Sequence, residues 1–176
     1  LASSAASDVY KRQLLYVQKK KALKIFIDGA DNTKIMDSKI VFEGDKIYIP
    51  IKTFAKQVGY EVFDGEYKQS YIEDKNKCYI KNKDEVTSYV LDSNQIYKKI
   101  ITTNEVSNYE YFEIDEPVKK INGELYASIN GISNGCNVAI SYNKENNKID
   151  IYTLSKLVTS YTAQGTKFEK TSALVG

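Results

Sequence analysis

The side chains able to do chemistry in this chain are carboxylates, lysines, tyrosines and two cysteines, because histidine is absent and Arg12 is the only arginine. Without imidazole there is no Ser-His-Asp or Cys-His pair, and no glycine-rich phosphate loop accompanies the lysines. The carboxylate neighbours Asp84-Glu85 and Asp115-Glu116 read as consecutive strand residues. They would point to opposite faces and could not share a substrate. No Asp-x-Asp-x-Asp calcium loop occurs, and nothing points to a two-carboxylate glycosidase site assembled from distant residues. Cys78 and Cys136 are too few for a disulfide scaffold and lack metal-ligand spacing; whether they pair is open.

The tyrosines are the most informative of these groups. Tyr67, Tyr71, Tyr79, Tyr89, Tyr97, Tyr109, Tyr111, Tyr142 and Tyr152 lie on or near predicted strands. A row of them could stack on sugar rings or another polymer, but tyrosine also has high β propensity and half-buries well on an antiparallel sheet. Sheet packing is the expectation and polymer binding the alternative. No catalytic, cofactor-binding or metal-ligating residue is therefore assigned, ligand-binding residues are left unassigned, and the chain is not expected to be an enzyme.

The elements that carry these residues begin with GDKIYIPIKTFAKQVGYEV, residues 44–62. Ile51, Phe54, Ala55 and Val58 fall at i, i+3, i+4 and i+7, the buried face of a short amphipathic helix of about two and a half turns. Pro50 suits its first turn and Gly59 its left-handed C-terminal cap. Ile47-Tyr48-Ile49 before it and Glu61-Val62-Phe63 after it read as strands. A shift of 78 residues lays this stretch on NGELYASINGISNGCNVAI, residues 122–140, without a gap. Ser128 then replaces Pro50 as a helix-starting cap, and Asn137 replaces Gly59 as a left-handed turn. Cys136 takes the place of Val58, so it is expected as a small core residue.

A polar hairpin is expected after each helix. The first runs from Val62-Phe63 through Asp64-Gly65 toward Tyr71-Ile72, the second from Ala139–Tyr142 through residues 143–147 into Ile149–Tyr152. Leu23–Ile27, closed by Asp28-Gly29, and the segments 78–80, 86–91 and 96–101 read as further strands. The fold class predicted is α+β, mostly antiparallel sheet with one short helix per repeat, in two degenerate repeats. Residues 1–22 are expected to be a non-native leader and stub, 23–100 the first repeat and 101–153 the second. Residues 154–176, with a short helix over 154–161, are expected to be a linker or the start of a truncated downstream region, and the true N-terminus is expected to be missing.

Composition narrows the function classes. A net charge of +2 with a single arginine argues against a nucleic-acid reader. The lysine clusters 19–21, 98–99 and 119–120 read as solvated faces. No apolar run approaches the roughly 20 residues a bilayer helix needs. Abundant Lys, Asn, Ile and Tyr suggests an AT-rich bacterial genome.

The pattern carried by Ile25–Gly29, Gly44–Ile51, Phe54-Ala55, Val58–Val62 and, more weakly, Asn122–Tyr126 resembles the copper amine oxidase N-terminal, or stalk, domain. The resemblance covers about residues 23–153. It implies a small sheet wrapped around a helix, in a non-catalytic, often duplicated module of secreted and cell-surface proteins of Gram-positive bacteria. It also implies an extracellular or cell-wall location. The expected role is a stalk, spacer or adhesion module; a carbohydrate- or peptidoglycan-binding module is the alternative. Its partners would be other domains of the same full-length chain and cell-wall polysaccharide or peptidoglycan, with no nucleic acid and no cofactor. Asn108-Tyr109-Glu110 matches the Asn-Tyr-acid core around the cofactor-forming tyrosine of copper amine oxidases. That conversion needs copper held by imidazoles, which this chain lacks, so Tyr109 is read with Tyr111 as alternate residues of a strand.

Overall fold

The computed structural model describes residues 21–68, 74–101 and 110–155. Among these residues thirteen strands and three short helices are arranged as three sheets around one core. The middle sheet is built from two hairpins, β3 (Val41–Glu43) with β4 (Lys46–Pro50), and β10 (Lys119–Ile121) with β11 (Glu124–Ser128). Asn122 and Gly123 turn the second with φ of 50° and 79°, the left-handed pair that a tight two-residue hairpin requires. β4 and β11 pair antiparallel in the centre, Tyr48 opposite Ser128, Ile49 opposite Ala127 and Pro50 opposite Tyr126.

Each central strand runs straight into a helix, β4 into α2 (Ile51–Gln57) and β11 into α3 (Ile129–Cys136). α2 has seven residues, so it is nearer two turns than two and a half. Pro50 is the last strand residue and stands as the N-cap with extended backbone, outside the first helical turn where it was expected. Ser128 caps α3 by accepting a hydrogen bond from the Gly131 amide, and Asn137 ends it in the left-handed conformation with φ 51°. Gly59 does the same after α2 with φ 91°. The predicted α2 face is buried: Ile51, Phe54 and Ala55 are inaccessible and Val58 packs against the core.

A five-stranded antiparallel meander follows α2: β5 (Glu61–Asp64), β6 (Lys77–Lys81), β7 (Glu85–Val90), β8 (Gln95–Ile100) and β9 (Glu110–Glu113). β5 pairs with β6, so the returning arm of the first hairpin is residues 77–81. That arm had been expected at Tyr71-Ile72, which lie outside the described residues. The alternation of 78–80 marked a strand correctly, but which earlier strand it met was set by pairing and not by nearness in sequence.

The third sheet has the order β12 (Val138–Asn143), β13 (Lys148–Thr153), β1 (Lys24–Ile27), β2 (Ala30–Asp31). β1 lies parallel to β13, Lys24 opposite Lys148 and Ile27 opposite Ile151. Asp28 fastens the end of this pair, its carboxylate accepting from the Thr153 amide at 2.9 Å and hydroxyl at 2.7 Å. The one-turn helix α1 (Thr33–Met36) was not predicted; it buries Met36. The predicted helix over 154–161 lies mostly outside the described residues.

The architecture is α+β and predominantly strand, with three sheets enclosing two core helices in place of one sheet wrapped around one helix. Phe54→Ala removes a fully buried ring between the sheets. It is expected to cost about 3 to 5 kcal/mol in a urea melt, and equal stability of mutant and parent would refute the packing described.

Candidate functional site

The five-stranded sheet has one face on the core and one on solvent. On the solvent face the strand register places Phe63, Tyr79, Ser88, Tyr97 and Tyr111 directly across from one another, one on each of the five strands. Phe63 and Tyr79 stack at 4.7 Å between ring centroids, and Tyr97 meets Tyr111 edge to face at 4.9 Å. Tyr67, from the segment after β5, sets its ring against Tyr79 at 5.7 Å. Ser88, the one small member of the row, leaves a gap. Together with Val90 it floors a groove of about 460 Å³ between Tyr67 on one side and Tyr97 and Tyr111 on the other. Glu66 and Lys77 form an ion pair in its wall, which raises the Lys77 ammonium above its ordinary pKa. Tyr111 is 65% exposed.

The other tyrosines of the predicted row go elsewhere. Tyr89 is fully buried on the opposite face, and its hydroxyl donates to the Gly131 carbonyl of α3 at 2.9 Å. Beside it, the Thr87 hydroxyl donates to the Gly135 carbonyl at 3.2 Å. Glycine at 135 is required here, because a Cβ would overlap the Tyr89 phenol. Tyr142 is half-buried and hydrogen-bonds Asn147, and Tyr152 lies on the third sheet. Tyr71 and Tyr109 lie outside the described residues, as does Asn108, so of the Asn-Tyr-acid match only Glu110, at the start of β9, is described.

A second polar cluster sits where α2 and α3 end. Lys98, expected on a solvated face, is only 7% exposed; its ammonium donates to Asn137 Oδ1 at 2.8 Å and to Glu85 Oε1 at 3.1 Å. Asn137 Nδ2 donates to Glu85 Oε1 at 2.9 Å, and the Tyr60 hydroxyl donates to the Cys136 carbonyl at 3.2 Å. A cation at the carbonyl end of a helix is stabilised by the helix dipole, and here it is also paired with a carboxylate and an amide oxygen. The cluster joins β7 and β8 to the end of α3.

The paired carboxylates are separated for a different reason from the one expected. Asp115 and Glu116 lie in a bend after β9 and not on a strand; the Asp115 carboxylate accepts from Ser128 Oγ and the Asp115 amide donates to Asn130 Oδ1, while Glu116 pairs with Lys46. Asp84 is likewise in a bend, with Glu85 opening β7. Cys78 and Cys136 are both free and buried. Burial pushes both thiols up to about 12.

These features define a class: a small α+β domain whose buried polar groups join sheets to helices, with one aromatic sheet face open to solvent. The family model described as copper amine oxidase N-terminal domain matches residues 26–151. The chain belongs to that family. Comparison with curated proteins and with solved structures gives no match. The copper in the family's name does not fit these residues. The chain has no histidine, and among the described residues no group of three Cys, Asp or Glu side chains could hold a metal ion.

The raised thiols and the Tyr60 phenol, also pushed up to about 12 by burial, favour their protonated forms in the folded state. Their contribution to stability is complete below about pH 9, the ordinary thiol value, and is lost as pH rises toward 12. Urea midpoints measured from pH 8 to 11 are expected to fall steadily. Both cysteines are expected to resist a thiol reagent in the native protein at pH 8 and to react fully in denaturant.

Proposed function

We propose that this domain is a non-catalytic stalk or spacer of a bacterial cell-surface or secreted protein, lying outside the cell or against its wall. The observation that carries this reading is the parallel pairing of β1 with β13. The chain runs into β1 at Lys24 and out of β13 at Thr153, at opposite ends of the paired strands. A pull on the two sides drives the strands past each other, so the ladder is loaded in shear and its hydrogen bonds bear the force together. The Asp28 carboxylate gripping Thr153 adds two bonds across the same junction. Such a domain transmits tension while keeping its length, which is what a spacer between other domains of one chain must do.

The domain is further read as two copies of one unit, 23–100 and 101–153. In support, β3, β4 and the start of α2 recur 78 positions later as β10, β11 and the start of α3. The central register is consistent with this: exchanging the copies turns the pair Tyr48 and Ser128 into Tyr126 and Pro50, which are also partners. In this reading the helices are retained for packing, which agrees with the buried Phe54 and Ile132.

Single-molecule pulling tests the proposal. Force applied through residues flanking Lys24 and Thr153 is expected to unfold the domain at a clearly higher value than force applied across the open end of the β12 and β13 hairpin, which unzips one bond at a time. Asp28→Ala is expected to lower the first value and leave the second unchanged. Equal forces in the two directions would sink the load-bearing reading.

A further inference from the structure

We propose that the groove on the solvent face of the five-stranded sheet binds a neutral, extended glycan of the β-1,4-linked type, with Tyr67, Tyr97 and Tyr111 as stacking surfaces and Glu66 and Lys77 as hydrogen-bonding partners for its hydroxyls.

Shape is the first argument. Tyr79 is only 6% exposed, so the groove runs from Lys77 on β6, beside Tyr67, across Ser88 and Tyr97 to Tyr111 on β9; with adjacent strands about 4.8 Å apart it is about 14 Å long, room for roughly three pyranose rings of an extended chain. Ser88 interrupts the row, which leaves the floor open for a sugar ring between Tyr67 on one side and Tyr97 and Tyr111 on the other. A compact or coiled polymer would meet this line at one point only.

Chemistry is the second. The lining combines aromatic rings, which suit the C–H faces of pyranoses, with phenol hydroxyls, the Ser88 hydroxyl, one carboxylate and one ammonium. Glu66 and Lys77, the charged side chains of the lining, neutralise each other, with the Lys68 and Lys81 ammonium groups further out over the Tyr67 ring. A nucleic acid needs a cationic channel for its phosphates, so stacked bases are disfavoured. A proline-rich peptide also docks between aromatic rings, but it offers mainly carbonyl acceptors, since proline has no N–H. It would leave the Glu66 carboxylate facing other acceptors. Sugar hydroxyls both donate and accept, and so can serve carboxylate, ammonium and phenols together.

The test is titration of the full 176-residue chain with N-acetylchitohexaose, cellohexaose and a proline-rich dodecapeptide, followed by calorimetry and by tyrosine fluorescence. Saturable binding of at least one hexasaccharide is expected, weakened tenfold or more by Tyr111→Ala and by Ser88→Leu, which fills the floor. Tyr152→Ala, on the third sheet, is expected to leave it unchanged. Tyr111 is largely exposed, so its variant is expected to melt with the parent, which separates loss of the site from loss of the fold. Failure of both hexasaccharides to bind, binding indifferent to the Tyr111 and Ser88 changes, or capture of the peptide in their place would each overturn the proposal.

Discussion

The pairing of β4 with β11 is the contact on which the rest of the structure depends. Both strands pass without a loop into helices, so their register also sets where α2 and α3 begin and which sides they present. Ile49 and Ala127, opposite each other at the centre, are completely buried, as are Ile51, Phe54 and Ile132 on the helices that follow. Both faces of these two strands are buried, so a slip of one residue would exchange the surroundings of Tyr48 and Ile49 and of Tyr126 and Ala127. The two outer sheets then close over the helices, one carrying Cys78, Ile80 and Tyr89 and the other Ile25, Ile149 and Ile151 to the same core.

Polar groups inside this core are arranged by necessity as much as by apolar packing. A helix as short as α3 would not hold in water on its propensity alone, least of all with two glycines in it. Gly135 lets the helix come close enough to β7 for Thr87 and Tyr89 to reach its carbonyls, and Gly131 lets it lie against Ala127 and Ile114. Lys98 and Asn137 then close its C-terminal end. Among the described residues, every buried side-chain nitrogen or oxygen has a hydrogen-bond partner. The entropic cost of glycine in the helix is thus offset by bonds that larger residues would block.

What could be read in the sequence was mostly local. The apolar spacing of Ile51, Phe54 and Ala55, the Ser128 cap and the left-handed positions Gly59 and Asn137 act within a few residues, and each lies where its own stereochemistry requires. The sheet partition was not legible in this way. Strand patterns at 24–27 and 148–153 say that both are half-buried but not that they are neighbours, and β6 could have met several partners. Lys98 was misread because a lysine is usually solvated, and only the Glu85 and Asn137 side chains, distant in sequence, make its burial tolerable. The aromatic row was legible only as a supply of tyrosines. Separating Tyr79, Tyr97 and Tyr111 from Tyr89 needs the cross-strand register, because Tyr89 is one residue out of phase with Ser88, the row's member on β7. The pair Gly131 and Gly135, four apart on a predicted helix, was a signal of close approach that could have been used.

The parallel partners β1 and β13 also set the order in which the protein can be completed. Asp28 and Thr153 are 125 residues apart in the chain. During synthesis β1 is among the first of these strands to emerge, and until β13 follows it has only the two-residue β2 beside it. Ile25 and Ile27, buried in the finished domain, remain uncovered through that interval. Such distant pairing makes closure of the third sheet a late event, after loop-closure entropy has been met across most of the chain. The junction proposed to carry tension is therefore also the last to form, and a nascent chain lacking β13 carries an open apolar edge.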